Sequence, residues 1–305
     1  MNLSAIFIIS FDCEGKWGMC DLDQSAYNFI TNDRLNDVYK SLVELLRFYQ
    51  IKGTFAFVGA FTMTVSEFLS KRDWFSDVII NENSWLKSFK EKIDLGDFEG
   101  WLNPKALEII LAEGAHEIAG HSFTHLPVQN KNNFLSEMHN MQKSLKLKGI
   151  IPKTFVYPRN QVVYAKLLKE FGILGYRDDL FKDYSKYIKK VKSLLNEFNI
   201  FEKAQKHSYR KDVVNIPSGY FLNWRAHIRK KIPVEISIKR WKHLIKDAIN
   251  NKKVLHLWTH PHNFINGDNQ ILLLKNILKM VKEASDVNKL KIMTQQEYIN
   301  YISCD

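Results

Sequence analysis

The sequence predicts a parallel α/β barrel, and three observations lead there. Short apolar runs of strand character alternate with longer runs whose apolar residues recur at helical spacing, the pattern of a parallel sheet with helices outside. There are about seven or eight such units, more than most open sheets need and close to what a barrel uses. The polar and titratable groups gather where the apolar runs end, which in a parallel barrel is where function sits.

The elements follow in order. "AIFII" is short, apolar and β-branched or aromatic, the mark of a buried strand. "NDRLNDVYKSLVELLRFYQ" has helical spacing, and "GTFAFVGA" reads as a second strand. "NPKALEIILAEG" is a helix that opens on Pro104 and stops at Gly114. "AHEIAG" is a strand, "NNFLSEMHNMQKSLKLKG" a helix ended by Gly149, and "KTFVYP" a strand. "QVVYAKLLKEFG" is expected as a helix, and "ILGYR" and "DVVNIPSG" as strands. "KVLHLWTH" is a strand, "NQILLLKNILKMVKEAS" a helix, "KLKIMT" the final strand, and Thr294 caps "QQEYINYI".

A chain of 305 residues permits one large α/β domain or two small ones. No linker, repeat or low-complexity tract divides it, so residues 1–305 are expected as one domain. Residues 61–102, rich in Trp and Phe without a clean period, and residues 180–232, basic and partly helical, fit the alternation poorly. Both are expected to be insertions that line or cover the active end.

The net charge of +11 first suggests nucleic acid. However, the lysines are spread over helical stretches such as "SKYIKKVKSLLNEFN", as on solvated helix faces, with no continuous basic surface interleaved with aromatics. Nucleic acid is therefore not expected as a partner. An acidic substrate such as a phosphorylated sugar, or peripheral contact with an anionic membrane, suits the charge better. No apolar run is long enough to span a bilayer. The opening "MNLSAIFIISFDCEG" has no basic n-region and does not read as a signal peptide. The three cysteines, Cys13, Cys20 and Cys304, show no metal spacing and suit a reducing compartment. The expected location is the cytoplasm.

Four strand ends carry chemistry. The first, "ISFDCEG" at residues 9–15, places Asp12 and Glu14 around Cys13. In extended backbone, residues i and i+2 share a face, so the two carboxylates point one way and Cys13 the other. Two like charges at the end of a buried strand call for a compensating cation, unless the strand end is merely solvated. "AHEIAG" ends in "HSFTH", with His121 and His125; "KTFVY" ends in "PRNQ"; "VLHLW" ends in "THPHN". His121 and His125 are four apart, so one helical turn would face both imidazoles the same way. Two histidines with a carboxylate form a common zinc shell that leaves a position for water. His256, inside its strand, and His116 read as structural.

"SFDCEG", "HSFTH", "YPRNQ" and "LWTHPHN", in this order, resemble the motifs of the NodB-homology polysaccharide deacetylases, carbohydrate esterases that remove acyl groups from glycans. The motifs run through most of the chain. The resemblance implies a distorted (β/α) barrel of about seven parallel strands and one divalent metal on a carboxylate-His-His triad. It implies that Asp12 is the general base and that Glu14, in an Asp-x-Glu variant of the first motif, is the metal ligand with His121 and His125. A thiolate ligand at Cys13 competes with Glu14. His260 matches the histidine of the last motif, the general acid. In "YPRNQ" the family's order of Arg before Pro is reversed. Arg159 is still expected to orient Asp12 or hold a substrate anion, unless it is a surface residue after a turn. Asn160 and His262 are further candidates for substrate contact, although His262 has no counterpart in the common pattern and could be a loop residue.

The implied activity is metal-dependent hydrolysis of an N-acyl group, acetyl or formyl, from an amino sugar or glycan precursor in surface polysaccharide biosynthesis. The precursor would be nucleotide- or lipid-phosphate-linked. Zinc is the metal expected, with cobalt, nickel, iron or manganese as alternatives for a His-carboxylate shell. The competing reading, drawn from the altered third motif and Cys13, is an inactive relative that binds glycan or protein.

Overall fold

The computed structural model describes residues 3–75, 84–180 and 198–303. Nine strands form one sheet: β1 (Ile6–Cys13), β2 (Thr54–Phe57), β3 (Glu117–Gly120), β4 (Thr154–Phe155), β5 (Gly175–Arg177), β6 (Val214–Ile216), β7 (Tyr220–Phe221), β8 (Val254–Thr259) and β9 (Lys291–Ile292). Their order is β6-β5-β4-β3-β2-β1-β8-β7, with β9 on β1, and every strand pairing is parallel. The eight α-helices among the described residues are α1 (Asn32–Phe48), α2 (Val65–Ser70), α3 (Lys87–Asp94), α4 (Pro104–Glu113), α5 (Lys131–Leu147), α6 (Val234–Asn251), α7 (Gln270–Asp286) and α8 (Gln295–Ser303). This is the expected distorted (β/α) barrel.

The distortion has a definite place. β6 and β7 are two parts of one interrupted strand, separated only by residues 217–219. The first part pairs with β5 and the second with β8. The two ends of the sheet are thus joined by a kinked backbone instead of a ladder. Gly219 sits in this kink at φ +71°, where a side chain would strike the His256 backbone.

The alternation of β1 divides the interior from the outer layer. Phe7, Ile9, Phe11 and Cys13 join the large core beneath the helices, with Leu35, Tyr39 and Leu42 of α1. Ile6 and Ile8 join a smaller cluster with Val214, Ile216, Val254, Ile299 and Ile302, so α8 packs against the barrel floor. Above that floor come Ser10 and His256, then Asp12, then Glu14. Each aromatic or aliphatic side chain buried in the outer core contributes about 1.5–3 kcal/mol. The polar interior column therefore sits in a scaffold whose stability comes mainly from elsewhere.

Two expectations about elements need correction. "QVVYAKLLKEFG" forms only a 3₁₀ segment, Ala165–Phe171, preceded by Arg159, Asn160 and Tyr164 at positive φ. Pro158 and the β-branched pair Val162-Val163 disfavour a longer helix. The helix α6 was not anticipated: its cationic side chains mask a buried stripe of Trp241, Leu244, Ile245 and Ala248. Of the two proposed insertions, parts lie outside the described residues. Within the first, Phe75, Phe89 and Trp101 surround Trp17, whose indole N–H donates to the Trp101 carbonyl at 2.7 Å. Within the second, Phe221, Trp224 and residues 226–229 line a cavity at the top of the barrel.

Candidate active site

The cavity measures about 610 Å³ and is lined by Asp12, Glu14, His121, His125, Arg159, Asn160, Arg177, Trp258, His260 and His262, among others. Of the residues singled out at the four strand ends, all but Cys13 therefore face one space.

Glu14 follows the last residue of β1 and is buried. Its Oε2 lies 3.0 Å from Nε2 of His125 and 3.2 Å from Nε2 of His121. The carboxylate lies against the Cα of Gly18, where a methyl group would collide with it. Trp17, the residue before that glycine, is fixed by its bond to Trp101. Cys13 points away: it is fully buried in the outer core, its thiol 3.5 Å from the Phe11 carbonyl. Burial pushes its pKa well up, and its position in the outer core leaves it outside the cluster of candidate metal ligands.

His121 and His125 do not lie on a helical turn, contrary to the expectation from their spacing. Residues 121–125 form an irregular turn with Ser122 at φ +59° and His125 at φ +57°. Glu137 on α5 holds this turn. Its buried carboxylate accepts hydrogen bonds from the backbone N–H of Phe123 at 3.0 Å and of Thr124 at 2.8 Å, and from the Thr124 hydroxyl at 2.6 Å. The Ser122 hydroxyl accepts from the His125 N–H at 3.0 Å.

The donor set suits a divalent cation. Nδ1 of His121 donates to the Val156 carbonyl at 2.8 Å, so Nε2 presents its lone pair to Glu14. A lone pair and a carboxylate oxygen repel unless a cation lies between them. Donors on metal arms of about 2.0–2.1 Å in tetrahedral array stand about 3.3 Å apart, close to the spacing here. Burial works against ionisation of Glu14, but the nearby His125 and His260 imidazoles outweigh it and hold its pKa well below the usual range. Burial in turn lowers His125, against the pull of Glu14. Among the described residues no lysine or arginine pairs with Glu14, and Glu14, His121 and His125 form a cluster of metal-ligating geometry.

Asp12 is treated differently. Arg177, at the end of β5, donates from Nη1 to Oδ1 and from Nη2 to Oδ2, each at 2.7 Å. Arg177 also donates to the Asn160 side-chain oxygen at 2.9 Å, and its guanidinium lies over Trp258 at 4.3 Å. Burial raises the Asp12 pKa, but Arg177, with help from His121 and His260, more than offsets it, so Asp12 lies below its ordinary value. The expectation that Arg159 orients Asp12 is thus corrected. Arg159 instead pairs with Asp21 and covers Trp85 at 4.6 Å, because its left-handed backbone turns it toward the rim. Asn160 reaches Arg177 from the same turn.

His260 follows β8 and is partly exposed, with Nε2 at 3.5 Å from Glu14 Oε1 and 3.9 Å from Asp12 Oδ2. His262 is buried and its ring lies parallel to that of His260, centroids 5.0 Å apart. Burial, then repulsion from His260, lowers its pKa to about 3. His256 sits deeper: Nδ1 donates to the Pro217 carbonyl at 2.7 Å and Nε2 accepts from the Ser10 hydroxyl at 2.8 Å. Burial and the nearby Arg177 lower its pKa to about 3, and it braces the kink between β6 and β7.

Three residues important to this geometry were not singled out from the sequence. Arg177 ends the strand "ILGYR", and a lone arginine closing an apolar strand was its available signal. Glu137 and Gly18 gave none, since one lies mid-helix and the other acts through a contact with a side chain four residues away.

The sequence profile of the polysaccharide deacetylases matches residues 24–177, just over half of the 305. No curated protein matches the chain. Among solved structures, one from Mycobacterium smegmatis described as a polysaccharide deacetylase superposes with a TM-score of 0.62 at 14% identity, covering 100% of this chain and 92% of that one. The Puue allantoinase gives 0.62 at 9% identity, covering 98% and 90%. A Pseudomonas aeruginosa PAO1 structure described as a polysaccharide deacetylase gives 0.62 at 11% identity, covering 98% and 91%. At these identities the likeness is one of fold.

Proposed function

Because the chain belongs to the polysaccharide deacetylase family, we propose that it is a metal-dependent hydrolase that removes an N-acyl group, acetyl or formyl, from an amino sugar of a glycan precursor. The observation that best supports this is the unequal treatment of two adjacent carboxylates: Asp12 is neutralised by Arg177, whereas Glu14 meets only imidazoles. One carboxylate is thereby kept for proton transfer and the other for a cation.

In this reading Glu14, His121 and His125 hold a divalent ion, with zinc the first choice for such donors. When bound, such an ion supplies polarisation of the acyl carbonyl and acidification of water. Asp12 takes the proton of the attacking water; Arg177 fixes its orientation and keeps it ionised. His260, across the cavity, delivers a proton to the departing amine. Phe221 and Trp258 flank His260 and confine it. Arg159, Asn160 and His262 line the cavity as candidates for contact with the sugar or its phosphate.

A nucleotide- or lipid-phosphate-linked precursor is the substrate proposed, consistent with the net charge of +11. The free thiols of Cys13 and Cys20 suit the cytoplasm. No helix among the described residues is long and apolar enough to cross a membrane. The test is an assay of acetyl- and formyl-amino sugar nucleotides and lipid-phosphate sugars for released acid, with and without chelator. Chelator-sensitive release supports the proposal. No release from any of them by metal-loaded protein overturns it.

A further inference from the structure

We propose that Glu14 serves two metal sites, and that the second, formed by Glu14, His260 and His262, is inhibitory. The inference rests on the reading of Glu14, His121 and His125 as a metal site and of His260 as the proton donor.

The two oxygens of Glu14 face different partners. Oε2 takes His121 and His125, whereas Oε1 stands 3.5 Å from Nε2 of His260. A ring nitrogen of His262 completes a second cluster in which one donor atom from each of Glu14, His260 and His262 lies within 4.8 Å of the others. His262 is only 5% exposed, lines the cavity, and its Nδ1 has no hydrogen-bond partner among the described residues. A buried imidazole with an unsatisfied nitrogen at a polar cavity wall is costly unless something else occupies it. Two imidazoles and a carboxylate bind zinc, cobalt or nickel. His260 is partly exposed, so an ion can enter from the cavity.

The second site is the weaker of the two. Glu14 and His260 stand 3.5 Å apart, against 3.2 and 3.0 Å from Glu14 to His121 and His125, so its donors must move further to share an ion on arms of about 2.0–2.2 Å. Two divalent ions on one carboxylate also repel. Filling the second site engages the His260 nitrogen that would otherwise carry the proton to the leaving amine. Excess metal therefore inhibits an enzyme that requires metal.

The test is equilibrium dialysis of chelator-stripped protein against zinc, with the acyl-release assay run over the same range. The wild type is expected to bind one ion tightly and a second more weakly, with activity rising over the first and falling over the second. His262→Asn should keep the tight ion and lose the weak one, and its inhibition should move to at least about tenfold more zinc. Binding of a single ion by the wild type throughout the inhibitory range overturns the proposal. So does retention of both ions by His262→Asn, with thermal melting confirming that the variant is folded. If that variant does not fold, the wild-type stoichiometry alone decides. A failure to bind any ion would instead overturn the metal-dependent reading of the whole site.

Discussion

Arg177 and Asp12 form a two-pronged ion pair inside the barrel, both oxygens engaged at 2.7 Å and both residues almost completely buried. The pair holds the Asp12 pKa below its ordinary value. Such a group contributes stability that is present above the unfolded carboxylate value, about 3.9, and is lost as pH falls through the folded value.

Removing the guanidinium leaves burial as the main influence on Asp12, and burial raises its pKa. Arg177→Gln is expected to move the acid limb of the pH–rate profile to higher pH. It should also cost about 3 kcal/mol of stability at neutral pH, since a buried charge loses its partner. A profile with an unmoved acid limb would remove Arg177 from control of Asp12.

Asp12→Asn keeps the shape of the side chain but not its basicity. It should retain the metal and lose turnover on the order of a hundredfold or more, the usual weight of a general base. His260→Ala should show a matching loss on the opposite, alkaline limb. Comparing pH profiles and metal content of the two variants checks the pairing; loss of metal from Asp12→Asn would reassign Asp12 as a ligand.

His121→Ala should bind zinc more than about a hundredfold more weakly while remaining folded, because the outer core is untouched. Cys13→Ala should keep full metal content and lose only about 1 kcal/mol from the cavity it leaves. Elemental analysis and denaturant melts of the two proteins measure both effects. Metal loss from Cys13→Ala would move the ligand to the thiol.

At Gly18 a methyl group would collide with the Glu14 carboxylate. Gly18→Ala is expected to displace that carboxylate and weaken zinc binding about tenfold or more, with little change in melting temperature. Unchanged affinity by calorimetric titration would mean that the Glu14 side chain has room to spare.

Glu137→Ala removes the acceptor of all three hydrogen bonds that hold the turn at residues 121–125. The expected result is a loss of about 1–3 kcal/mol in stability and a further drop of about tenfold in zinc affinity, with zinc-loaded and stripped protein compared in the same melts. A stability loss identical in the two states would make Glu137 part of the scaffold only.

The strands and the positions of the site residues were legible because both follow from period and placement. Asp12 and Glu14 share a face because β1 is extended, and His260 reaches the cavity because β8 ends beside β1. Long-range pairing left no local trace. Arg177 meets Asp12 across a separation of 165 residues, so nothing near either residue announces the other. The spacing of His121 and His125 suggested a helix, yet Glu137 stabilises a turn that no local propensity would select. Trp241, Leu244 and Ile245 of α6 lay hidden among the exposed Lys239, Lys242 and Lys246 and a buried arginine, Arg240, whose guanidinium lies over Tyr220.

The placement of β1 in the middle of the sheet has a consequence for how the chain acquires its native state. Ser10 pairs on one edge with Thr54 and on the other with Trp258. The first contact closes a segment that holds α1, while the second requires most of the chain and carries the larger loop-closure entropy. Until residues 254–259 are synthesised, one edge of an entirely buried strand has no ladder partner, and such an edge invites pairing with other chains. Glu14, His121 and His125 are all synthesised by then, but His260 is not. The groups that share the cavity can thus come together only after β8 has joined β1.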